Sequence, residues 1–125
     1  MAARAGAGRA GQVVEQVGED RPGRWLIACD HATNRVPPCI GGGSLGIAAA
    51  DMLRHIAWDV GAAGVTRHLD ARLKSPAILS RFSRLVIDCN RPFDAPDLIS
   101  EVSETTVIPG NAGLGAAERA GRIAL

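Results

Sequence analysis

The chain is poor in aromatic residues, which make up only 3% of its 125 positions and include no Tyr. Hydrophobic residues nevertheless account for 46% of the sequence, a fraction too high for an intrinsically disordered chain. We therefore expect one folded unit or part of one, with a core built from Leu, Ile, Val and Ala.

The sequence also lacks an excess of charge of one sign, since 14 basic residues face 13 acidic ones. The sequence therefore has no excess of basic residues that would attract nucleic acid or an anionic membrane. No apolar run approaches the roughly 18 residues that span a bilayer, and the N-terminus has no apolar segment typical of a signal peptide. We predict a cytoplasmic protein that binds neither nucleic acid nor membrane.

Cysteine is scarce, with Cys29, Cys39 and Cys89 as the three positions. An odd number without CxxC spacing argues against a disulfide framework and against a cysteine-rich zinc knuckle. We expect reduced, buried thiols, as is usual in a cytosolic protein.

Two contrasting segments open the chain. Residues 1–23 are rich in Ala, Gly and Arg and are predicted to form a flexible leader that ends in the turn formers of residues 21–23. Residues 25–29 are a continuous apolar run followed by Asp30 and His31. This pattern is typical of a buried parallel strand whose C-terminal end carries function.

The middle of the chain has helical spacing over residues 47–74. Asp59 and Gly61 are expected to divide this span into two helices, within residues 48–57 and 60–73. Asp59 is then predicted to cap the second helix by accepting hydrogen bonds from its free N–H groups.

The second half contains two short apolar runs, residues 77–80 and 85–88, that are predicted as strands. Residues 92–110 are predicted as a long functional loop, and residues 115–125 begin a helix. The order strand, helices, strand, strand predicts an α/β fold.

His31 is the first candidate for chemistry, because α/β folds place ligands just beyond the ends of their strands. Neutral imidazole is a common zinc ligand, and Asp30 or Asn34 would supply an oxygen. The alternative is a loop histidine that caps a turn, and spacing alone favours that interpretation.

His55 and Asp59 are four residues apart and would share one face of a helix, as an ion pair or as two ligands. A structural role is the favoured interpretation, with His55 hydrogen-bonded in the interface between helix and sheet.

Asp88, Asn90 and Arg91 follow the last predicted strand. Arginine presents a planar fork that matches a carboxylate, and asparagine adds directed N–H donors, so Asn90 and Arg91 are candidates for a substrate clamp. The equally favoured alternative is a buried Asp88–Arg91 pair. Arg81 and Arg84 would either enlarge an anion site or remain solvated beside a turn.

Five segments occur in order along the chain: CDHATNRVP at residues 29–37, HIAWDVGA at 55–62, LSRFSRLVIDCNRP at 79–92, DAPDLI at 94–99 and IPGN at 108–111. Together they resemble the N-formylglutamate amidohydrolase family, over a span from about Trp25 to the last residue.

The resemblance implies an α/β domain with a central mixed sheet flanked by helices, related to zinc carboxypeptidase-like and phosphorylase/hydrolase-like folds. It implies hydrolysis of the amide bond of N-formyl-L-glutamate, as in histidine breakdown, or of a related N-acyl amino acid, with a divalent metal, zinc, as cofactor. His31 would be a metal ligand. Asn34 stands where the wider superfamily has a glutamate ligand and joins Asn90 and Arg91 as a substrate-binding candidate.

Family members are longer than this chain. We therefore expect residues 24–125 to be the N-terminal, incomplete part of an amidohydrolase domain, inactive alone, with a further histidine ligand and the general base supplied from outside it. The alternatives are a non-catalytic module that binds small carboxylates and a truncated product without function.

Overall fold

The computed structural model of the protein describes residues 13–125 as a small α/β structure with a mixed sheet. The strands are β1 (Val14–Val17), β2 (Ile27–Cys29), β3 (Ala77–Ser80), β4 (Val102–Ser103) and β5 (Thr106–Val107). The helices are α1 (Ala49–Met52), α2 (Ala62–Leu73) and α3 (Ala116–Ile123), with a 3₁₀ turn at Pro109–Asn111. Within residues 13–125, none of these helices has the length and apolarity needed to cross a membrane.

The main sheet has the strand order β1-β3-β2, so that β3 lies in the centre. β3 runs antiparallel to β1, with Val14 opposite Ser80, and parallel to β2, with Ile27 opposite Ala77. Ala77 and Leu79 of β3 are almost fully buried and pack with Cys29 of β2. The two strands predicted at residues 25–29 and 77–80 are therefore confirmed, with β2 shorter than its apolar run.

β1 corrects the prediction of a flexible leader over residues 1–23. Residues 14–17 pair with the central strand, which supplies their backbone partners, and Arg21 continues the attachment by an ion pair of 3.0 Å with the buried Asp70 of α2. The first twelve residues of the predicted leader lie outside the described residues.

α2 confirms the second predicted helix, but it is not capped by Asp59. Its N-cap is Gly61 with φ of +86°, a left-handed conformation that glycine adopts without steric cost, and no side chain bonds to the cap. Asp59 is too far before the first turn, and its carboxylate is directed towards His31 and Arg84 instead.

The first predicted helix, over residues 48–57, is a single turn, α1. Beyond it, side chains from elsewhere take the backbone carbonyls that a longer helix would use. The Asn34 amide donates to Met52 O at 2.8 Å, and the Ser83 hydroxyl donates to Ala57 O at 2.7 Å. The chain folds into turns that bury Ile56 and Ala57.

The strand predicted at residues 85–88 is wrong, because this segment is a turn. Leu85 and Val86 are buried as their apolar character predicts, but their carbonyls accept hydrogen bonds from side chains rather than from a neighbouring strand. Leu85 O accepts from Asn111 Nδ2 at 2.8 Å, and Val86 O accepts from Arg122 Nη1 at 2.7 Å.

A second core lies under this turn and unites Leu45, Ala57, Leu85, Val86 and Ile108. The predicted loop at residues 92–110 passes over it and contains the β4–β5 hairpin. The helix predicted at the end of the chain is confirmed as α3.

Candidate active site

His31 lies just beyond β2, at the end of the strand where the sequence places it, and its side chain is buried. Its Nε2 is 2.7 Å from Asp88 Oδ1, and its Nδ1 is 3.2 Å from Asp59 Oδ2. The Asp59 N–H also donates to His31 O at 2.9 Å. Both ring nitrogens therefore face carboxylates, which hold the imidazole plane in one orientation.

Arg84 joins the same two carboxylates from the other side. Its Nη2 donates to Asp88 Oδ2 at 3.0 Å, and its Nη1 lies 3.4 Å from Asp59 Oδ1. The sequence left open whether Arg84 is solvated, and in the structure it is the fourth member of a ring with His31, Asp59 and Asp88. Arg81 is not part of this ring, and its backbone N–H bonds to Val13 O.

Asp88 is the buried carboxylate of the ring. Burial acts to raise its pKa, but the hydrogen bonds from His31 and from the Asn90 N–H, together with the charges of His31 and Arg84, outweigh burial and lower the pKa below its ordinary value. Asp88 is thus an ionised acceptor at neutral pH. A neutral His31 would carry its proton on Nε2, because Asp88 is the closer and more buried partner, and Nδ1 would then be the unprotonated nitrogen beside Asp59.

Nδ1 is therefore the nitrogen of His31 that is available to a metal ion, and Asp59, whose side chain is 53% exposed, lies beside it. A carboxylate that holds the other ring nitrogen is the usual support of a metal-ligating histidine. Residues 13–125 contain no group of three His, Cys, Asp or Glu side chains that could hold a metal ion. The described part of the chain therefore does not provide a complete metal site by itself.

Asn34 does not reach this ring, because its amide is bonded to Met52 O. His55 is also absent from it: the side chain is 67% exposed and pairs with Glu104 of the β4–β5 turn, Nε2 to Oε1 at 2.6 Å. The prediction that His55 lies between helix and sheet is wrong, since the helix that was to carry it ends at Met52.

Arg91 is near the ring without belonging to it. Its Nε donates to Asp97 Oδ2 at 2.8 Å, and its side chain is 38% exposed, so the alternative of a buried Asp88–Arg91 pair is wrong. Within residues 13–125, the two Nη groups of Arg91 have no hydrogen-bond partner. Asn90 is exposed, and its contact with Asp88 is through the backbone N–H at 3.0 Å.

A cleft of about 350 Å³ brings several of these groups together. Its walls are mainly apolar, and its charged lining residues are Asp88, Arg91 and Arg122. Asn90 and Asn34 do not line it. Of the three residues predicted to bind substrate, only Arg91 lines the cleft. The apolar walls and the arginine suit a small molecule with an apolar body and an anionic group.

The expectation of buried thiols is correct for Cys29 and wrong for Cys39 and Cys89, which are exposed. Cys89 lines the cleft, but its thiol is not an activated nucleophile. Partial burial and the charges of Asp30 and Asp88 raise its pKa to about 11, and its Sγ donates to Asp30 O at 3.0 Å. A thiol with this pKa is protonated at neutral pH, and only the thiolate attacks.

Arg122 and Asn111 support the site, and sequence reasoning missed both. Arg122 is almost fully buried in α3 and donates to Val86 O, to Asn111 Oδ1 at 3.0 Å and to Gly110 O at 3.0 Å. Burial lowers its pKa, although guanidinium remains charged in proteins. A single arginine in a helix is usually exposed, so nothing in the sequence pattern indicated this role.

The chain is similar to a known protein family and to a solved structure. A model of the N-formylglutamate amidohydrolase family matches residues 23–125. No curated protein matches the chain. The solved structure of gene product Atu2144 from Agrobacterium tumefaciens is similar, with 38% sequence identity and a TM-score of 0.86 over 92% of this chain and 45% of that one.

The chain thus spans less than half the length of that solved relative. The family match covers the ring around His31 and the cleft with Arg91, and it extends over most of the sequence. This chain belongs to the N-formylglutamate amidohydrolase family.

Proposed function

We propose that the chain contributes part of the active site of a metal-dependent amidohydrolase that cleaves N-formyl-L-glutamate or a related N-acyl amino acid. The observation that carries the proposal is the position of Asp88. Its carboxylate orients His31, and it also lines the cleft that holds Arg91. A candidate metal ligand and a candidate carboxylate-binding group are thereby joined by one buried residue.

Arg91 is assigned to the substrate's carboxylate. Asp97 holds the guanidinium through Nε, which leaves the two Nη groups directed to other acceptors. Two parallel charge-assisted hydrogen bonds bind and orient a carboxylate. Because Asp97 is exposed, its competition for the guanidinium is screened by water.

His31 Nδ1 and Asp59 are assigned to the metal, which we propose to be Zn²⁺. A zinc ion held there would lower the pKa of a bound water to roughly 7 and polarise the amide carbonyl. Asp88 keeps the imidazole oriented, and Arg84 balances the charge of the two carboxylates. The remaining ligands and the general base are not assigned to residues 13–125.

The test is calorimetric titration of the chain with N-formyl-L-glutamate. A charge-assisted hydrogen bond contributes about 1.5–3 kcal/mol, and about 1.4 kcal/mol is tenfold in affinity, so Arg91→Lys should weaken binding roughly tenfold and Arg91→Ala more. Thermal midpoints should stay unchanged, because Arg91 is partly exposed and its partner Asp97 is exposed.

Arg72→Lys is the matched control, since Arg72 is exposed on α2 and does not line the cleft. Equal affinity of wild type, Arg91→Lys and Arg91→Ala for N-formyl-L-glutamate would rule out Arg91 as the group that binds the substrate's carboxylate. Repeating the titration with zinc separates the two classes of function. Binding that zinc leaves unchanged would favour a non-catalytic carboxylate-binding module over a metal-dependent hydrolase.

A further inference from the structure

The two cations that line the cleft, Arg91 and Arg122, are not equally available to a ligand. Arg122 is 4% exposed, and its guanidinium donates to oxygen atoms of three other residues of the protein. Arg91 is 38% exposed, and among residues 13–125 its two Nη groups have no partner. The described part of the chain therefore offers the ligand one free guanidinium fork, which matches one carboxylate.

The anionic side of the cleft disfavours a second carboxylate on the ligand. Asp88 lines the cleft and belongs to the ring with His31, Asp59 and Arg84. That ring contains two carboxylates and one guanidinium, so it carries net negative charge while His31 is neutral. A second ligand carboxylate in the cleft would meet this like charge without a free cation of its own, and a desolvated, unpaired carboxylate is strongly unfavourable.

The remaining walls of the cleft are mainly apolar, and part of this surface is open to water. Phe82, Ile87 and Leu98 line the cleft, together with Phe93 and Ile123. Phe93 is 69% exposed and Ile123 is 37% exposed. An apolar ligand group that covered these two side chains would remove apolar surface from water, which favours binding.

We propose that the cleft selects N-acyl amino acids that have one carboxylate and an apolar side chain, in preference to N-formyl-L-glutamate. Arg91 holds the α-carboxylate, and the side chain of the ligand lies against the apolar wall that includes Phe93, two positions along the chain. A cleft of about 350 Å³ is within the usual size range for a small ligand. The inference rests on the proposed function, because it takes Arg91 as the group that binds the α-carboxylate.

The test compares three ligands by calorimetric titration of the wild-type chain. N-formyl-L-methionine has a side chain about as long as that of N-formyl-L-glutamate but without charge, and N-formyl-L-glutamine has the shape of the glutamate compound without its second charge. We expect N-formyl-L-methionine to bind at least about tenfold more tightly than N-formyl-L-glutamate, with N-formyl-L-glutamine between them.

Phe93→Lys tests the assignment of the wall, because it replaces an exposed apolar side chain of the cleft with a second cation. It should lower the ratio of the methionine affinity to the glutamate affinity at least about tenfold. Trp25→Lys is the matched control, since Trp25 is an aromatic residue of nearly equal exposure, 68%, that does not line the cleft. It should leave the ratio unchanged, and thermal midpoints establish that both variants are folded.

Two results would each overturn the inference. One is a wild-type chain that binds N-formyl-L-glutamate as tightly as N-formyl-L-methionine or more tightly, a result that does not depend on any variant. The other is a folded Phe93→Lys chain that keeps the wild-type ratio. Failure of the proposed function gives a different result, since Arg91→Ala would then leave the affinities for both ligands unchanged, whatever their ratio.

Discussion

Two regions of the molecule satisfy their backbone polar groups in different ways. In the region of β1, β2 and β3, the groups pair with one another in ladders. In residues 81–125, buried side chains take over much of this role, chiefly Ser83, Asn111 and Arg122. The first region depends on local backbone regularity, whereas the second depends on particular side chains that are distant in sequence.

The candidate active site lies where the two regions meet. His31 follows β2 of the first region, and Asp88 ends the turn that Asn111 and Arg122 hold in the second. The 2.7 Å contact between His31 and Asp88 therefore requires both regions to be in place.

Arg122→Met should have the largest effect on stability. It keeps the length of the side chain but leaves Val86 O, Gly110 O and the Asn111 amide oxygen without their donor. A buried unpaired polar group costs about 1–3 kcal/mol, so we expect a loss of roughly 3–5 kcal/mol in the free energy of unfolding. Urea denaturation measures it.

The control for this change is Arg119→Met on the same helix, where the side chain is half-buried and makes one hydrogen bond, to Phe93 O at 3.3 Å. Surface substitutions usually change stability by less than about 0.5 kcal/mol. Equal losses for the two variants would mean that the bonds of Arg122 do not hold the second region.

This contrast also explains what the sequence could predict. β3 and α2 were predicted correctly because apolar runs and helical spacing determine them. Residues 85–88 have the same apolar character as β3, yet their carbonyls are taken by Asn111 and Arg122, which are 26 and 36 residues away from their partners. Hydrophobic pattern predicts burial but does not identify the hydrogen-bond partner.

The sequence also identified only some of the residues at the candidate site. His31 and Arg91 were proposed because each follows an apolar run that was predicted as a strand. His31 does follow β2 and contacts Asp88, whereas Arg91 follows a turn and lines the cleft with Asp88. The roles of Asp59 and Arg84 were missed, since each looked like a cap or a solvated charge in its own segment. Asp59 and Arg84 come together because α1 ends at Met52 and the chain then folds into turns. No local sequence pattern predicts this change of direction.

Leu79→Ala tests the first region. Leu79 is 1% exposed in the central strand and packs in the core with Cys29 and Ala77. Removing a buried leucine side chain costs about 2–5 kcal/mol, and we expect about 3 kcal/mol here, from lost apolar burial and an incomplete collapse of the cavity. Chemical denaturation provides the measurement.

Leu53→Ala is the matched control, because that leucine is 66% exposed. We expect it to change stability little. If Leu79→Ala cost no more than Leu53→Ala, the sheet would not be the main source of stability in the first region.

Asp88→Asn should have a smaller effect that depends on pH. The folded-state pKa of Asp88 is lowered, so its ionised form contributes stability above its unfolded pKa, and this contribution is lost as pH falls through the folded pKa. The difference in unfolding free energy between wild type and Asp88→Asn should be largest near about pH 6 and shrink towards about pH 2.

Asp94→Asn, which changes an exposed carboxylate, should show little difference at either pH. A constant difference between wild type and Asp88→Asn across this range would contradict a stabilising, ionised Asp88 at the junction.

The most direct test of the central claim is zinc binding at neutral pH, measured by calorimetric titration of the wild-type chain, His31→Ala and His68→Ala. We assign the metal to His31, which Asp88 holds at the junction of the two regions, whereas His68 is an exposed residue of α2. We expect wild type and His68→Ala to bind zinc with the same weak affinity, because residues 13–125 hold no complete metal site, and His31→Ala not to bind it. Zinc binding that survives His31→Ala, or that is absent from the wild-type chain, would contradict the account.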